Sequence, residues 1–233
     1  MKSVLITGTS KGFGYALLET FLSKGWLVFA LARNVNSISN LLDLYKDTCI
    51  PIEADVTDEK CSKLINDTIQ SKTDQLDLLI NNAGNAELCF GIDNVTPFDL
   101  EKHFKVHVSG AFRIIKSCLP FLKNNDDSII VNVSSRKGSI HNINSGIYRI
   151  LIPYQVAKAA QNMLTACLNQ ELIDTNIKVY AIHPGNLKTD VAPTDADTEP
   201  SEASERLYEW LISEKKESTG GFYDVMNQSK LNW

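Results

Sequence analysis

The chain has 233 residues and a formal net charge of −5, so it lacks the broad basic surface typical of nucleic-acid-binding proteins. No apolar run approaches the ~18 residues that a membrane-spanning helix needs. We expect no signal peptide, because the first apolar run is broken at Thr7-Gly8. The cysteines follow no metal-binding spacing, which favours reduced thiols in the cytoplasm. We therefore expect a cytoplasmic protein with one domain over residues 1–233, no metal site, and neither a nucleic-acid nor a membrane partner.

The N-terminal stretch predicts a strand, a glycine turn and a helix. The apolar run Val4–Ile6 is typical of a buried parallel strand, and residues 15–22 have apolar side chains at helical spacing. This order begins a dinucleotide-binding βαβ unit, in which glycine allows close approach to a phosphate and the helix N-terminus attracts it. The alternative is an ordinary tight turn. The residues predicted to contact the ligand here are Gly8, Ser10, Lys11, Gly12, Phe13 and Gly14.

Further apolar runs follow in chain order and alternate with helical patterns. Strands are predicted over residues 26–31, 50–58, 76–80, 128–135, 177–182 and 220–225, and helices are predicted to begin at about residues 38, 59, 97, 154 and 200. This alternation predicts an α/β fold: a single doubly wound Rossmann-type parallel sheet of about seven strands with helices on both faces.

The residues after the second predicted strand concern the choice of dinucleotide. Folds that bind NAD usually place an acid there for the ribose 2′-hydroxyl. This chain has Arg33 and Asn34 instead, and Lys11 adds a second cation. A guanidinium can pair with a 2′-phosphate, so we expect NADP(H) to be preferred over NAD(H). The alternative is that both cations are solvated surface charges.

Residues Tyr154 and Lys158 carry a second chemical signal. Four residues apart on a helix, they share one face, so the ammonium could lower the pKa of the phenol. Such a tyrosine can give a proton to a developing alkoxide or take one from an alcohol. An exposed helix pair is the alternative interpretation.

Six motifs in this order resemble the short-chain dehydrogenase/reductase family. They are Thr7–Gly14, Asp55–Val56, Asn81–Gly84, Ser135, Tyr154 with Lys158, and Pro184-Gly185 followed by Thr189. The closing residues 230–233 resemble the sniffer-like and C-factor-like carbonyl reductase branch.

The resemblance implies roles for individual residues. Ser135 would position the substrate oxygen, and Lys158 would also bind the nicotinamide ribose together with Tyr154. The adenosine half would contact Asp55, Val56, Asn82, Ala83 and Gly84, and the nicotinamide carboxamide would contact Pro184, Gly185, Leu187 and Thr189. The implied activity is NADPH-dependent reduction of a ketone, aldehyde or quinone. The alternative is a dinucleotide-binding signalling or regulatory protein with weak reductase activity.

His107 departs from the family pattern, which has asparagine at this place. The helix predicted from Pro97 turns Phe104 and Phe112 inward, and His107 with them. In the family, the asparagine carbonyl holds a water that supplies protons to the lysine. His107 could join such a relay, or be a core histidine with both ring nitrogens hydrogen-bonded, which we favour.

The substrate pocket is predicted less directly. We expect the loop at residues 141–153 to lie over it and residues 191–198 to form a lid, with Cys89, Phe90 and Ile147 as apolar lining. The apolar faces of the helices over residues 104–119 and 156–172 favour a homodimer or homotetramer, unless both faces belong to the core.

Overall fold

The structure is a computed structural model, which describes residues 1–85, 91–143, 150–189, 196–213 and 219–233. Its strands are β1 (Ser3–Thr7), β2 (Leu27–Ala32), β3 (Cys49–Glu53), β4 (Leu78–Asn81), β5 (Ser128–Val133), β6 (Ile177–His183), β7 (Phe222–Asp224) and β8 (Ser229–Leu231). Its α-helices are α1 (Gly12–Ser23), α2 (Ser39–Leu44), α3 (Cys61–Gln70), α4 (Pro97–Phe104), α5 (Ala111–Lys123), α6 (Ile140–Ile143), α7 (Ile152–Glu171) and α8 (Pro200–Ile212). Among these residues, no helix is long and apolar enough to cross a membrane.

The described strands form one sheet in the order β3-β2-β1-β4-β5-β6-β7-β8. Every neighbouring pair is parallel except β7 with β8, which is antiparallel. The strand order reverses between β1 and β4, and α/β sheets bind ligands beyond the carboxyl ends of their strands at such a point. The predicted doubly wound α/β fold is confirmed, with eight strands where about seven were expected.

Two apolar layers cover the faces of the sheet. Leu17 and Phe21 of α1 and Leu207 of α8 pack on one face. Ile65 of α3 and Ile114 of α5 pack on the other. Between the two layers, β1 and β2 are buried along their whole length, as expected of central parallel strands.

The helix predicted from Pro97 is interrupted. Its start is confirmed, because Thr96 caps α4 and Asp99 completes the capping box. Between α4 and α5, however, residues Lys105–Gly110 form a π-helical turn, which changes the facing of the side chains around it. The predicted inward orientation of Phe104 and Phe112 is therefore wrong, since each is 44% exposed.

Helix α7 buries a polar face. Its apolar residues Val156, Met163 and Cys167 are exposed. The side chains that α7 buries are mostly polar: Gln155, Lys158, Gln161, Asn162 and Thr165, with Pro153, Ala157 and Leu168. They meet polar side chains at the end of β5 and just after it, where Asn132 donates to Thr165 and Ser134 donates to Asn162. Most of these buried polar groups thus satisfy one another, although Gln155 Nε2 has no hydrogen-bond partner among the described residues.

A turn precedes α3. This helix begins at Cys61 without a side-chain cap, and Asp58 accepts a hydrogen bond from the Lys60 N–H in the turn.

Candidate active site

The glycine turn after β1 has no room for a side chain at Gly8 or Gly14. Gly8 and Gly12 have positive φ values of 74° and 58°, which favour glycine. A Cβ on Gly14 would overlap the Gly8 carbonyl oxygen and lie 2.8 Å from the carbonyl carbon. The turn therefore brings the backbone and the start of α1 close together, as a phosphate-binding turn requires.

The loop after β4 braces this turn. The Asn82 Nδ2 donates to the carbonyl oxygens of Thr7 at 2.9 Å and Gly8 at 3.3 Å. In return, Thr7 Oγ1 accepts from the backbone N–H of Asn82 at 3.0 Å and of Ala83 at 2.9 Å. The side chain of Asn82 is therefore used within the protein, and Ala83 and Gly84 follow it at the sheet edge.

Charged residues surround the ends of β2 and β3. Arg33 and Lys11 are exposed, as a contact with a ligand phosphate requires. Desolvation is the largest single effect on Asp55 and opposes its ionisation, while hydrogen bonds with Thr57 favour ionisation. The positive charges of Arg33 and Lys105 add to them, so the pKa of Asp55 lies below its usual value and the carboxylate is charged.

Asn34 and Val56 make internal contacts at the same edge. Asn34 Oδ1 accepts from the Asn36 N–H and so shapes the helical turn at residues 35–38. Val56 is buried, and its carbonyl oxygen accepts from Arg113 Nη1 at 2.7 Å. A Cβ on Gly110 would lie 3.0 Å from Val56 Cγ2, so the π-helical turn packs closely here.

Ser135, Tyr154 and Lys158 come together at the end of β5. The Ser135 side chain lies close enough to the Tyr154 phenol to lower its pKa. The Lys158 Nζ lies 5.8 Å from the centroid of the Tyr154 ring. The same Nζ donates to the Val133 carbonyl at 2.7 Å and to Gln161 Oε1 at 3.0 Å. The three predicted catalytic side chains therefore form one cluster.

Burial dominates the proton affinities in this cluster. It lowers the pKa of Lys158 to about 7 and raises the pKa of Tyr154. Ser135 acts in the opposite direction on the pKa of Tyr154 but has the smaller effect. The predicted lowering of the Tyr154 pKa is therefore wrong for this structure, because desolvation raises this pKa and outweighs the effect of Ser135.

His107 lies against Tyr154, as its predicted inward orientation requires. The two ring centroids are 5.7 Å apart at an interplanar angle of 85°, and His103 stacks on His107 at 5.8 Å. His107 Nε2 lies 2.9 Å from the Asn85 carbonyl oxygen, so this nitrogen carries the proton and donates it. Within the described residues Nδ1 has no hydrogen-bond partner, so the expectation that both nitrogens are satisfied is wrong.

The His107 ring is neutral. Burial lowers its pKa well below the usual range, and the positive charge of Lys158 lowers it further. A neutral ring with Nε2 protonated presents a lone pair at Nδ1. His107 therefore offers the site an acceptor rather than an acidic proton.

The loop after β6 reaches the glycine turn. Gly185, which follows Pro184, has φ of 107°, and a Cβ there would lie 2.9 Å from Met226 Cγ. Leu187 forms an isolated bridge with Thr198. Thr189 Cγ2 would lie 3.5 Å from a Cβ on Gly12, so the two predicted ligand-binding segments face each other.

Sequence reasoning missed three polar residues near this edge. Two of them could have been found by their spacing: Gln161 lies three residues after Lys158, and His103 lies four residues before His107, so each shares a helix face with a predicted site residue. His183, at the end of β6, is buried, and neither ring nitrogen has a hydrogen-bond partner among the described residues. Burial and then the charge of Arg136 lower the pKa of His183 to about 4, against the smaller opposing effects of Asp224 and Asp197.

Part of the predicted pocket lies outside the described residues. This applies to Cys89, Phe90 and Ile147 and to most of the predicted lid. Of the predicted loop at 141–153, the structure describes the end of α6 and the start of α7. In the described part of the chain, no group of three metal-ligating side chains converges.

The doubly wound sheet and its Ser-Tyr-Lys cluster define an oxidoreductase class of the Rossmann type. Residues 2–200 match the family model for short chain dehydrogenase, so the chain belongs to the short-chain dehydrogenase/reductase family. It is 30% identical over 229 residues to the "Probable short-chain type dehydrogenase/reductase VdlC" of Helicobacter pylori, covering 98% of this chain and 78% of that protein.

Two solved structures are similar over the whole chain. The NADPH-bound carbonyl reductase from chicken fatty liver has a TM-score of 0.90 at 28% identity and covers 100% of this chain and 99% of its own. The carbonyl reductase Sniffer of D. melanogaster has a TM-score of 0.88 at 27% identity and covers 100% of both chains. The predicted family and its sniffer-like branch are therefore confirmed.

Proposed function

We propose that this protein is an NADPH-dependent carbonyl reductase acting on a small ketone, aldehyde or quinone. The observation that carries the proposal is the cluster of Ser135, the Tyr154 phenol and the buried Lys158, whose Nζ lies 5.8 Å from the centroid of the Tyr154 ring. The comparison with the NADPH-bound carbonyl reductase of chicken supports the same class of reaction.

The glycine turn and the edge around it fit a dinucleotide. The space that a Cβ would fill at Gly14 is closed to side chains, and Thr189 faces Gly12 across the turn. We propose that the backbone of residues 8–14 binds the pyrophosphate and that Arg33 and Lys11 bind the 2′-phosphate. The dinucleotide, when bound in reduced form, supplies a hydride.

The chain's own residues would handle the substrate oxygen and its proton. The raised pKa keeps Tyr154 protonated at neutral pH, so it can donate a proton to the oxygen as negative charge develops. Ser135 would donate a hydrogen bond to the same oxygen and hold it in place. Lys158 would place positive charge beside the tyrosinate that remains, stabilising it after the proton has left. Neutral His107 would accept a hydrogen bond at Nδ1, and it packs against the phenol ring.

The test is Tyr154→Phe, which removes one oxygen from the cluster. We expect the rate of NADPH oxidation with a panel of ketones, aldehydes and quinones to fall at least about 100-fold, because general acid catalysis is lost. NADPH affinity should stay nearly unchanged. Tyr208→Phe is the matched control, since Tyr208 packs against Phe21 and Trp26 away from the site.

Two results would count against this proposal. Retained turnover in Tyr154→Phe would remove the general acid role. Tight NADPH binding without turnover on any carbonyl compound would favour the regulatory alternative instead.

The cofactor preference has its own measurement. A charge-assisted contact with the 2′-phosphate is worth enough to make NADPH bind about tenfold tighter than NADH. Arg33→Ala should reduce this ratio and leave NADH affinity unchanged. Equal dissociation constants for the two dinucleotides in the unaltered protein would contradict the assignment of Arg33 and Lys11.

We also propose self-association through the outer faces of α4 and α7. Phe104, Val156 and Leu100 line an open groove of about 450 Å³ there, and Met163 continues the apolar face along α7. Light scattering should give a homodimer or homotetramer, and Val156→Lys should shift it towards the monomer.

A further inference from the structure

The ammonium of Lys158 is held by two acceptors inside the protein. Lys158 as a whole is only 4% exposed. Nζ donates to the Val133 carbonyl at 2.7 Å and to Gln161 Oε1 at 3.0 Å. A lysine ammonium has three N–H donors, so these two bonds leave one donor for a partner in the site. With two acceptors inside the protein, Lys158 keeps one N–H that can donate to a ligand in the site.

Gln161 is placed to serve this ammonium. It is 1% exposed and lies three residues after Lys158 on α7, where side chains are neighbours on one face. Its own backbone carbonyl accepts from Thr165 Oγ1 at 3.0 Å, which ties it to the next turn. A buried amide is unfavourable unless its polar atoms are used, and here the oxygen is used on a cation.

Opposite charge is missing from the surroundings of Lys158 in the described part of the chain, where no carboxylate forms an ion pair with it. The titratable groups that face it are Tyr154, on the same helix, and His107, on the π-helical turn, with His103 stacked behind His107. The phenol and the His107 imidazole are both neutral at pH 7, because burial disfavours their charged forms. Dipolar acceptors are therefore the main stabilisation of this cation.

We propose that Gln161 is a positioning residue for Lys158: its side-chain oxygen stabilises the buried ammonium and directs the remaining N–H into the active site. This inference rests on the proposed function, in which the charge of Lys158 assists Tyr154. Nothing in that function requires a glutamine at this place, so the role belongs to this chain's own arrangement.

The proposal gives opposite signs for two substitutions. Gln161→Met keeps the length of the side chain and removes the acceptor, so it should lower the pKa of Lys158 from its value of about 7. Gln161→Glu replaces the acceptor by a carboxylate, so it should raise that pKa. A hydrogen bond to a buried charge corresponds to a shift of about one to two pKa units.

Two readouts are measured on the full-length protein. The first is the titration of the Lys158 Nζ resonance by NMR in protein with ¹⁵N-labelled lysine, assigned by its loss in Lys158→Arg. The second is the pH profile of kcat/KM, which reports ionisation of the free enzyme. If catalysis requires the charged ammonium, kcat/KM falls as the pH rises through the pKa of Lys158.

The matched control is Thr165→Val. Thr165 is as buried as Gln161 and lies on the same face of α7, but it bonds to Asn132 and the Gln161 backbone rather than to Lys158. It should lower stability without moving the Lys158 titration. Circular dichroism of each variant establishes that it is folded before either readout is made, and Gln161→Glu decides the question if Gln161→Met does not fold.

The outcomes separate cleanly. The proposal is supported if the pKa of Lys158 falls in Gln161→Met and rises in Gln161→Glu, and if the pH at which kcat/KM falls moves in the same direction in each variant. An unmoved Lys158 resonance in both variants overturns it, and so does a moved resonance with an unmoved kcat/KM profile. If no carbonyl compound is reduced even by the unaltered protein, the proposed function fails, and the NMR titration still decides whether Gln161 stabilises Lys158.

Discussion

Replacing Thr7 by valine tests how the glycine turn is joined to the loop after β4. Thr7 is 1% exposed at the end of β1. Its hydroxyl accepts from two backbone N–H groups, those of Asn82 and Ala83. Valine has the same shape and suits a strand at least as well, so strand propensity alone predicts no loss of stability.

The magnitude follows from which donor loses its partner. The Asn82 N–H also lies 3.1 Å from the Ile80 carbonyl oxygen and keeps that acceptor. The Ala83 N–H accounts for most of the cost, and an unsatisfied donor costs about 1–3 kcal/mol. We therefore expect Thr7→Val to reduce the free energy of unfolding by about 2 kcal/mol, which corresponds to about 4–8 °C in Tm for a chain of this size.

The measurement is urea unfolding followed by circular dichroism. Thr7→Ser keeps the hydroxyl and is the control, and it should retain most of the stability. If Thr7→Val is as stable as the unaltered protein, the hydroxyl does not hold the loop, and the reasoning about this junction is refuted.

Three further predictions concern the same edge of the sheet. Gly14→Ala should weaken NADPH binding by about tenfold or more in a fluorescence titration, because the new methyl group overlaps the Gly8 carbonyl; unchanged affinity would show that the turn can open at little cost. His107→Asn should keep kcat within an order of magnitude of the unaltered protein in the NADPH oxidation assay, because the neutral ring has no acidic proton to contribute; a larger loss would place the ring itself in proton transfer. His183 has a lower pKa folded, about 4, than unfolded, 6.5, so the unfolded chain binds more protons between these values and stability falls as the pH drops through this window. His183→Gln should remove up to about 3 kcal/mol of this acid sensitivity, measured by urea unfolding at pH 7 and pH 4, and equal pH dependence in both proteins would contradict the burial argument.

The sequence predicted the residues at the carboxyl ends of the strands well. Gly8, Asn82 and Ser135 each follow a strong apolar run, and parallel strands bring such positions to one edge. Strand β8 was missed because Ser229–Leu231 is short and polar. Its pairing with β7 comes from the turn after Asp224, whose carboxylate accepts backbone N–H bonds, rather than from any apolar pattern.

The orientation of helical faces was predicted less well. Periodicity assumes that apolar residues face inward over a regular α-helix, and the π-helical turn at Lys105–Gly110 breaks that regularity near His107. In α7 the assumption fails for a second reason, because the inner face must match the polar side chains at the end of β5 and just after it. Such matching depends on which strand lies underneath the helix, which a single helix sequence does not contain.

The pKa of Tyr154 shows a related limit. The spacing of Tyr154 and Lys158 predicted correctly that the two side chains lie near each other. Spacing alone does not report how much water surrounds them, and desolvation decided the direction of the shift.

The polar inner face of α7 has a mechanical consequence. Apolar contacts attract without direction, so a helix held by them alone can rotate slightly about its own axis at little cost. Helix α7 is instead joined at three successive levels to β5 and the residue after it, through Lys158 to Val133, Asn162 to Ser134 and Thr165 to Asn132. Hydrogen bonds weaken steeply with angle, so these three together fix the rotational setting of the helix. Tyr154 lies one turn before Lys158 on the same face, and its side chain is thereby directed towards Ser135 before any substrate arrives.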